Sequence, residues 1–519
     1  MQRPDSGGRS TVYGTAGAVA CEHPLAALAG IRMLDAGGTA ADACVAMAAA
    51  MAVLSPMMTG PGGDAFLLYR EAATGRVRAL EGAGRAGRGA TVEAMRARGH
   101  ADMPARGGET ITVPGAVALW ADAAAELGRL GLPALLEPAR ELAERGHPVA
   151  AVTARMWRAE EPVLRRDAAA AAAFLPGGRA PREGEPVRLG DLARTLGVLA
   201  EEGPRAFYEG ELAERIVAAT RDAGGFLELE DMAAHRSTWV EPISAPYRGL
   251  EVFELPPPTT GIAALMMLRA LEREDLAALP PLSAERIHLE VQAKRHAFAA
   301  LHEHVGDPDF VDVPVAALLA GAVTAARERA PVGRGPGDTT YLCAVDAEGN
   351  GCSFINSLYK GFGSGVVAPG TGVCLHSRGY GFSLDPGSPA VLAPGKRPLH
   401  TIIPALVTRD GALWAVYGNM GGFMQPQGHA QVLVNLHDHG MPPQEAVDHP
   451  RHFHDQAVLL VEGRVPDPEV AKLRRWGHEV VVGEPYEQLT GGAQVVRVHE
   501  DGVRAAGSDP RKDGCALAQ

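Results

Sequence analysis

The stretch from Asp338 to Gly363 constrains this chain most. Two β-prone runs, Asp338 to Asp346 and Gly351 to Tyr359, flank the turn Ala347-Glu348-Gly349-Asn350 and read as a β-hairpin. The run that leads in, Arg334-Gly335-Pro336-Gly337-Asp338, is rich in Gly and Pro and reads as an exposed loop. A hydroxyl residue, Thr339, therefore stands where a loose loop meets a buried strand. Were the backbone cut before Thr339, its hydroxyl would lie beside a new α-amine. Such an amine has a pKa of about 7.7–8.0, so a useful fraction is free base near neutral pH. That arrangement activates an N-terminal threonine as a nucleophile. Threonine is also an ordinary strand residue, because its branched side chain suits a pleated surface. The hairpin alone leaves both readings open.

A chain of 519 residues exceeds one ordinary core, so two lobes or one large composite domain are expected. Lys plus Arg is 49 and Asp plus Glu is 62, and the net charge of −13 argues against nucleic acid or an anionic membrane as main partner. The start, Met1-Gln2-Arg3-Pro4-Asp5-Ser6-Gly7-Gly8, is polar and lacks the apolar core of a secretory signal, which leads us to expect a cytoplasmic enzyme. The longest apolar stretch, Ala40 to Met58, is Ala-rich and carries Asp42, so it reads as a buried helix rather than a membrane span. The six cysteines are scattered without CxxC pairs and are expected to be buried thiols, not a disulfide frame or a zinc site. His302-Glu303-His304, His437-Asp438-His439 and His452-Phe453-His454 do not make an HExxH pattern, and no metal or cofactor is expected.

In chain order, Ala16 to Cys21 reads as a strand, and Pro24 to Ala36 and Ala40 to Leu54 as helices, the second capped by Thr39. Gly60-Pro61-Gly62-Gly63-Asp64 precedes an apolar strand. That order is wrong for a phosphate loop, and the run reads as a tight turn packed near a site. Arg85 follows the strand Val77 to Leu80 among glycines, where it could meet a substrate carboxylate or make a structural ion pair. Residues 115–330 are dominated by helical patterns, among them Ala116 to Leu127, Pro133 to Arg145, Gly261 to Leu271 and Ala284 to His304. After the hairpin, Gly363 to Val367 and Leu413 to Tyr417 read as strands, and Gln427 to His437 as a helix. Gly421-Gly422 lies between the last two, where bare backbone N–H groups can form an oxyanion hole or a plain turn.

Taken together, these pieces resemble the γ-glutamyltransferase family of N-terminal-nucleophile hydrolases. The likeness runs through Gly37-Gly38-Thr39-Ala40-Ala41-Asp42-Ala43, Gly60-Pro61-Gly62-Gly63-Asp64, Thr112-Val113-Pro114-Gly115, Pro256-Pro257-Pro258-Thr259-Thr260-Gly261, Gly306-Asp307-Pro308-Asp309-Phe310, Asp338-Thr339-Thr340, Met420-Gly421-Gly422 and Ser508-Asp509-Pro510-Arg511. It implies an α+β fold, the four-layer αββα sandwich. It also implies self-cleavage between Asp338 and Thr339, giving a large subunit (1–338) and a small subunit (339–519) that stay together as one composite domain. On this resemblance Thr339 is the nucleophile, Ser357 a second hydroxyl near its amine, and Gly421 and Gly422 the oxyanion pair. The partners implied are a small-molecule substrate and the two subunits of one precursor. A homodimer is left open, and neither nucleic acid nor membrane is expected.

The departures concern substrate. The family's carboxylate-gripping Arg, two residues before Arg85, is replaced by Ala83. Tyr359 stands for an Asn, the acidic residue that reads the α-amine falls near Gly381, a Ser-Ser pair becomes His400-Thr401, and Met420 replaces a Pro. The pattern is more similar to the acylase and amidase side branch, which includes the oxamate amidohydrolases. The substrate-binding candidates are Arg85, Tyr359, His400, Thr401 and Gln425. The expected reaction is hydrolysis of an amide of a small acid or short acyl group, oxamate-like. The alternatives are a γ-glutamyl hydrolase or transferase on glutathione-like donors, a C–C bond hydrolase of an antibiotic pathway, and an uncut binding protein.

Overall fold

A computed structural model describes residues 9–325 and 337–519 of the chain. The loop expected at 334–338 lies, up to Pro336, outside the described residues. The strands of the two main sheets are, in chain order, β1 (Val12–Gly14), β2 (Ala18–Cys21), β3 (Asp64–Arg70), β4 (Val77–Gly82), β5 (Thr238–Val240), β6 (Ile243–Tyr247), β7 (Leu250–Glu254), β8 (Asp338–Val345), β9 (Gly351–Tyr359), β10 (Ala405–Arg409), β11 (Ala412–Asn419), β12 (Ala493–Val498), β13 (Arg504–Ser508) and β14 (Cys515–Ala518). Among the described residues they form one sheet in the order β1-β13-β12-β11-β10-β7-β6 and a second in the order β14-β2-β8-β9-β3-β4-β5. The sheets pack face to face, with β8 and β9 against β11 and β2 against β13.

Helices cover both outer faces. On the second sheet lie α1 (Pro24–Asp35), α2 (Ala40–Leu54) and α3 (Ala116–Glu126). On the first sheet lie α4 (Gly261–Leu271) and α6 (Met424–His437), with α5 (Ala284–His304) packed on α4. The result is the αββα order, an α+β sandwich. Helix α2 has its expected bounds. Thr39 accepts from Asp42 N–H while Asp42 Oδ2 accepts from Thr39 N–H at 2.8 Å, a capping box. All fifteen residues of α2 are buried. Helix α1 approaches it closely at Gly30, where a Cβ would stand 2.8 Å from Met47. No helix among the described residues is long and apolar enough to cross a membrane. The six cysteines are free thiols, five of them buried.

Two boundaries differ from expectation by more than two residues. Helix α6 begins at Met424, three residues before Gln427, because Pro426 sits in its first turn, where a missing N–H costs nothing. Residues Gly363 to Val367 are mostly turn. Gly365 N–H donates to Phe362 O at 2.8 Å, Gly363 and Gly365 have φ of +51° and +81°, and strand pairing is limited to Val367–Ala368.

The hairpin is held at its turn and between the sheets. At its turn, Asp346 Oδ1 accepts the N–H groups of Glu348 and Asn350, both at 3.0 Å, while its Oδ2 accepts Ala40 N–H at 3.0 Å and so ties the turn to the start of α2. Between the sheets, the Tyr341 ring lies against bare backbone: a Cβ on Gly418 would come within 2.5 Å of it.

Candidate active site

The β8–β9 register runs from Val345 opposite Gly351 to Thr340 opposite Asn356, then shifts, leaving Asp338 opposite Tyr359. Thr339 sits in that irregularity, a device that re-aims a side chain out of the regular pleat. Thr339 is fully buried, and its Oγ1 lies 3.1 Å from Ser357 Oγ. Ser357 Oγ donates to the Asp338 carbonyl at 2.9 Å and accepts Tyr359 N–H at 2.9 Å. A hydroxyl has one proton and two lone pairs. With its proton on the Asp338 carbonyl, Ser357 can only accept from Thr339. The Thr339 hydroxyl hydrogen is therefore aimed at Ser357. Tyr359 closes β9 with φ of +79°, a left-handed conformation that is uncommon for a bulky residue and costs on the order of 1–3 kcal/mol.

Gly421 and Gly422 link β11 to α6 with φ of +116° and +63°. Their carbonyls accept Met424 and Gln425 N–H, both at 3.1 Å, while no described residue takes up their own N–H groups. Gly337 reaches this turn: a Cβ there would stand 3.1 Å from Gly422 Cα and 3.2 Å from Tyr359 O. The peptide before Thr339 thus runs between the end of β9 and the glycine pair. The turn rests on residues 490–492, since Met420 N–H donates to Gly492 O at 3.1 Å. Arg451 fixes that support by donating to Thr490 O at 3.0 Å, to Gly491 O at 2.9 Å and to Asp509 Oδ2 at 2.6 Å. The Ser508-Asp509-Pro510-Arg511 motif is thereby a buried brace beneath the glycine pair.

A second buried cluster flanks Ser357. Asp64, the first residue of β3, pairs across the sheet with Ser357. Its Oδ1 accepts Gly84 N–H at 3.3 Å and Gly115 N–H at 3.1 Å, and its Oδ2 faces His400 Nε2 at 2.9 Å. Burial opposes its ionisation, yet His376, His400 and Arg378 outweigh burial and hold the carboxyl well below the usual range. His376 is lowered by burial and fits one tautomer: its Nε2 lies 3.0 Å from Thr112 O and its Nδ1 accepts Arg378 N–H at 3.2 Å. His400 is lowered by burial while Asp64 pulls it up, and both its nitrogens face acceptors, Nδ1 lying 2.8 Å from Pro398 O. The Pro256–Gly261 motif holds His400 in place: His400 N–H donates to Pro258 O at 2.8 Å and Thr260 N–H to His400 O at 2.9 Å.

Of the residues singled out in the sequence, Thr339, Ser357, Tyr359, Gly422 and Asp338 come together directly. Thr401 joins through Arg378, whose Nη1 donates to Thr401 Oγ1 at 3.2 Å and whose guanidinium lies 4.5 Å over the Tyr359 ring. Gln425 lies just after the glycine pair, its Oε1 accepting Ile403 N–H at 3.0 Å. Arg85 does not join this group. It is half-exposed and donates to Asp309 at 2.6 Å and to Gly395 O at 2.9 Å, as an ion-paired surface residue does. Sequence reasoning missed three residues. One is Asp64, whose signal was an acid at the head of the apolar run Ala65 to Leu68. The second is Arg378. The third is Glu22, which accepts Tyr341 N–H at 3.0 Å and whose carboxyl burial pushes up to about 8, with Lys512 pulling the other way.

A four-layer sandwich whose central strand carries a buried threonine at its second residue has the architecture of the N-terminal-nucleophile hydrolases. The comparisons agree. The solved structure of cephalosporin acylase from Bacillus halodurans superposes with a TM-score of 0.92 at 39% identity, covering 100% of this chain and 99% of that one. The gamma-glutamyltranspeptidase family model matches residues 26–519, and the chain belongs to that family of hydrolases. Among its relatives, the glutathione hydrolase-like YwrD proenzyme of Bacillus subtilis is 39% identical, over 98% of this chain and 99% of the relative. The oxamate amidohydrolase proenzyme of Klebsiella pneumoniae is 36% identical over the same shares.

Proposed function

We propose that this enzyme cuts itself between Asp338 and Thr339 and then hydrolyses an amide of a small acidic or short-acyl compound through an ester on Thr339. The observation that carries this reading is the Ser357 hydroxyl, which bridges Thr339 Oγ1 and the Asp338 carbonyl. In self-cleavage, Thr339 Oγ1 attacks the Asp338 carbonyl carbon. Its proton moves to Ser357, whose own proton is already shared with the carbonyl oxygen. Collapse returns that proton through Ser357 to the departing Thr339 nitrogen and breaks the C–N bond, leaving an ester and a free amine. Water then hydrolyses the ester, yielding the Asp338 carboxylate and restoring the Thr339 hydroxyl.

In turnover, the new α-amine takes the Thr339 proton as Oγ1 attacks the substrate amide, and the same proton goes to the departing nitrogen. Donors such as the Gly421 and Gly422 N–H groups stabilise the oxyanion, an effect commonly worth ~10²–10³-fold per donor. Water, activated by the amine, releases the acid. The relatives named as oxamate amidohydrolase and acylases support an amide as substrate. Glutathione-like donors are disfavoured by Ala83 in place of the family's carboxylate-gripping Arg, and by Arg85 being engaged with Asp309.

The test is the denatured mass of the purified protein. Two chains meeting at Asp338 and Thr339 in the wild type, and one intact chain in Thr339→Ala, are expected. A wild type that stays whole would sink the reading. Rates with oxamate against a γ-glutamyl anilide then rank the substrate classes.

A further inference from the structure

Arg378 retains donors that the protein does not use. Its side chain is 1% exposed, and its Nε and Nη2, both buried, donate to no described residue. A guanidinium offers five N–H donors and no acceptor, and leaving charged donors unmatched in the interior is costly. The Nε–Nη2 edge is one that accepts a carboxylate through two parallel bonds. The nearest carboxylate cannot fill this role. Asp64 stands 4.0 Å from Nε, beyond hydrogen-bond reach, and its oxygens already serve Gly84, Gly115 and His400.

Three further features tie Arg378 to the neighbourhood of the reaction centre. The guanidinium face is covered by the Tyr359 ring, and Tyr359 N–H is bonded to Ser357 Oγ. Nη1 is anchored on Thr401. Two residues along the same segment, Ile403 N–H fixes the Gln425 amide by its oxygen, and Gln425 Nε2 is a second buried donor without a described partner. Two residues of chain span at most about 7 Å, so both sets of donors hang from one short support.

We infer that Arg378 receives a free carboxylate of the substrate through Nε and Nη2, with Gln425 Nε2 beside it, so that the enzyme selects monoamides of dicarboxylic acids. This rests on the reading of Thr339 as nucleophile. A substrate ammonium in the same place would meet a buried like charge, which excludes an α-amino donor group there.

The test uses the mature protein and three acids (oxamate, malonamate and succinamate), each against the neutral diamide of equal length. The wild type is expected to prefer the acids. In Arg378→Gln the ratio of kcat/KM on acid to that on diamide falls by ~10²-fold, mainly through KM, and Arg378→Lys restores part of it. Oxalate, malonate and succinate supply a readout free of turnover: at least one raises the Tm of the wild type, and the shift is lost in Arg378→Gln. An unchanged acid-to-diamide ratio in both variants, or no Tm shift of the wild type with any of the three, overturns the inference. Failure of the chain to cut, or of any amide to turn over, counts against the Thr339 reading instead, and the dicarboxylate shift then decides for Arg378 alone. If Arg378→Gln does not fold, the lysine variant and the wild-type shifts carry the decision.

Discussion

Ser357 is the residue on which the proposed chemistry turns, because its hydroxyl is saturated: it donates to Asp338 O and accepts from Tyr359 N–H and the Thr339 hydroxyl. Ser357→Ala keeps the fold, since a small residue fits a fully buried strand position, but removes the proton path. The rate at which two fragments appear on a denaturing gel should fall by ~10²–10⁴-fold, the usual reach of a positioned proton-transfer group. A variant that cuts at the wild-type rate would remove Ser357 from the mechanism. Thr339, Ser357 and the glycine pair could be picked out as candidates in the sequence because each sits in a short local motif. Asp64 and Arg378 were not, because their roles come from long-range packing. Asp64 meets His400 from 336 positions away, and Arg378 is defined by the donors it leaves over.

Elements show the same division. Helix α2 was readable to its ends because a Thr cap and its own apolar run mark them, whereas α6 hid its start behind Pro426. What no local pattern reveals is how the glycine turn is supported. Asp509 does so at a distance, accepting Arg451 on Oδ2 and Arg511 N–H and Nη1 on Oδ1 at 2.9 and 3.0 Å. Burial works against its charge, but Arg451 and Arg511 outweigh burial and lower the carboxyl to about 2. A carboxyl lowered on folding stabilises the protein above its unfolded pKa of about 3.9, and that gain is lost as pH falls toward 2. Asp509→Asn should cost ~3–5 kcal/mol at neutral pH, since it leaves the buried Arg451 without a carboxylate partner, while Arg511 keeps Glu462. It should also flatten the loss of stability between pH 4 and 2, seen as a smaller change in denaturant midpoint than the wild type shows. Equal acid slopes in the two proteins would mean that Asp509 is not the titrating group.

Across the molecule, the Asp338–Thr339 junction does not divide the fold. β1 pairs with β13, β2 with β8 and β14, β3 with β9, and β7 with β10, each joining a strand before Thr339 to one that contains or follows it. The fragments 1–338 and 339–519 are therefore expected to elute together on native size exclusion and to separate only in denaturant. Residues 339–519 made alone should not fold, because β8 then lacks its β2 neighbour. Fragments that part in native buffer would contradict this. The sandwich itself was legible through family likeness, while the interleaving of strands followed only from the pairings. Thr339, finally, has no exposed surface. On the reading proposed here, no outside protease can reach the bond, and the cut is a first-order event whose half-life does not change with dilution. Maturation is then a clock started by the closing of the two sheets. Copies that never close them gain no amine and stay chemically silent, so activity in a population counts the molecules that folded.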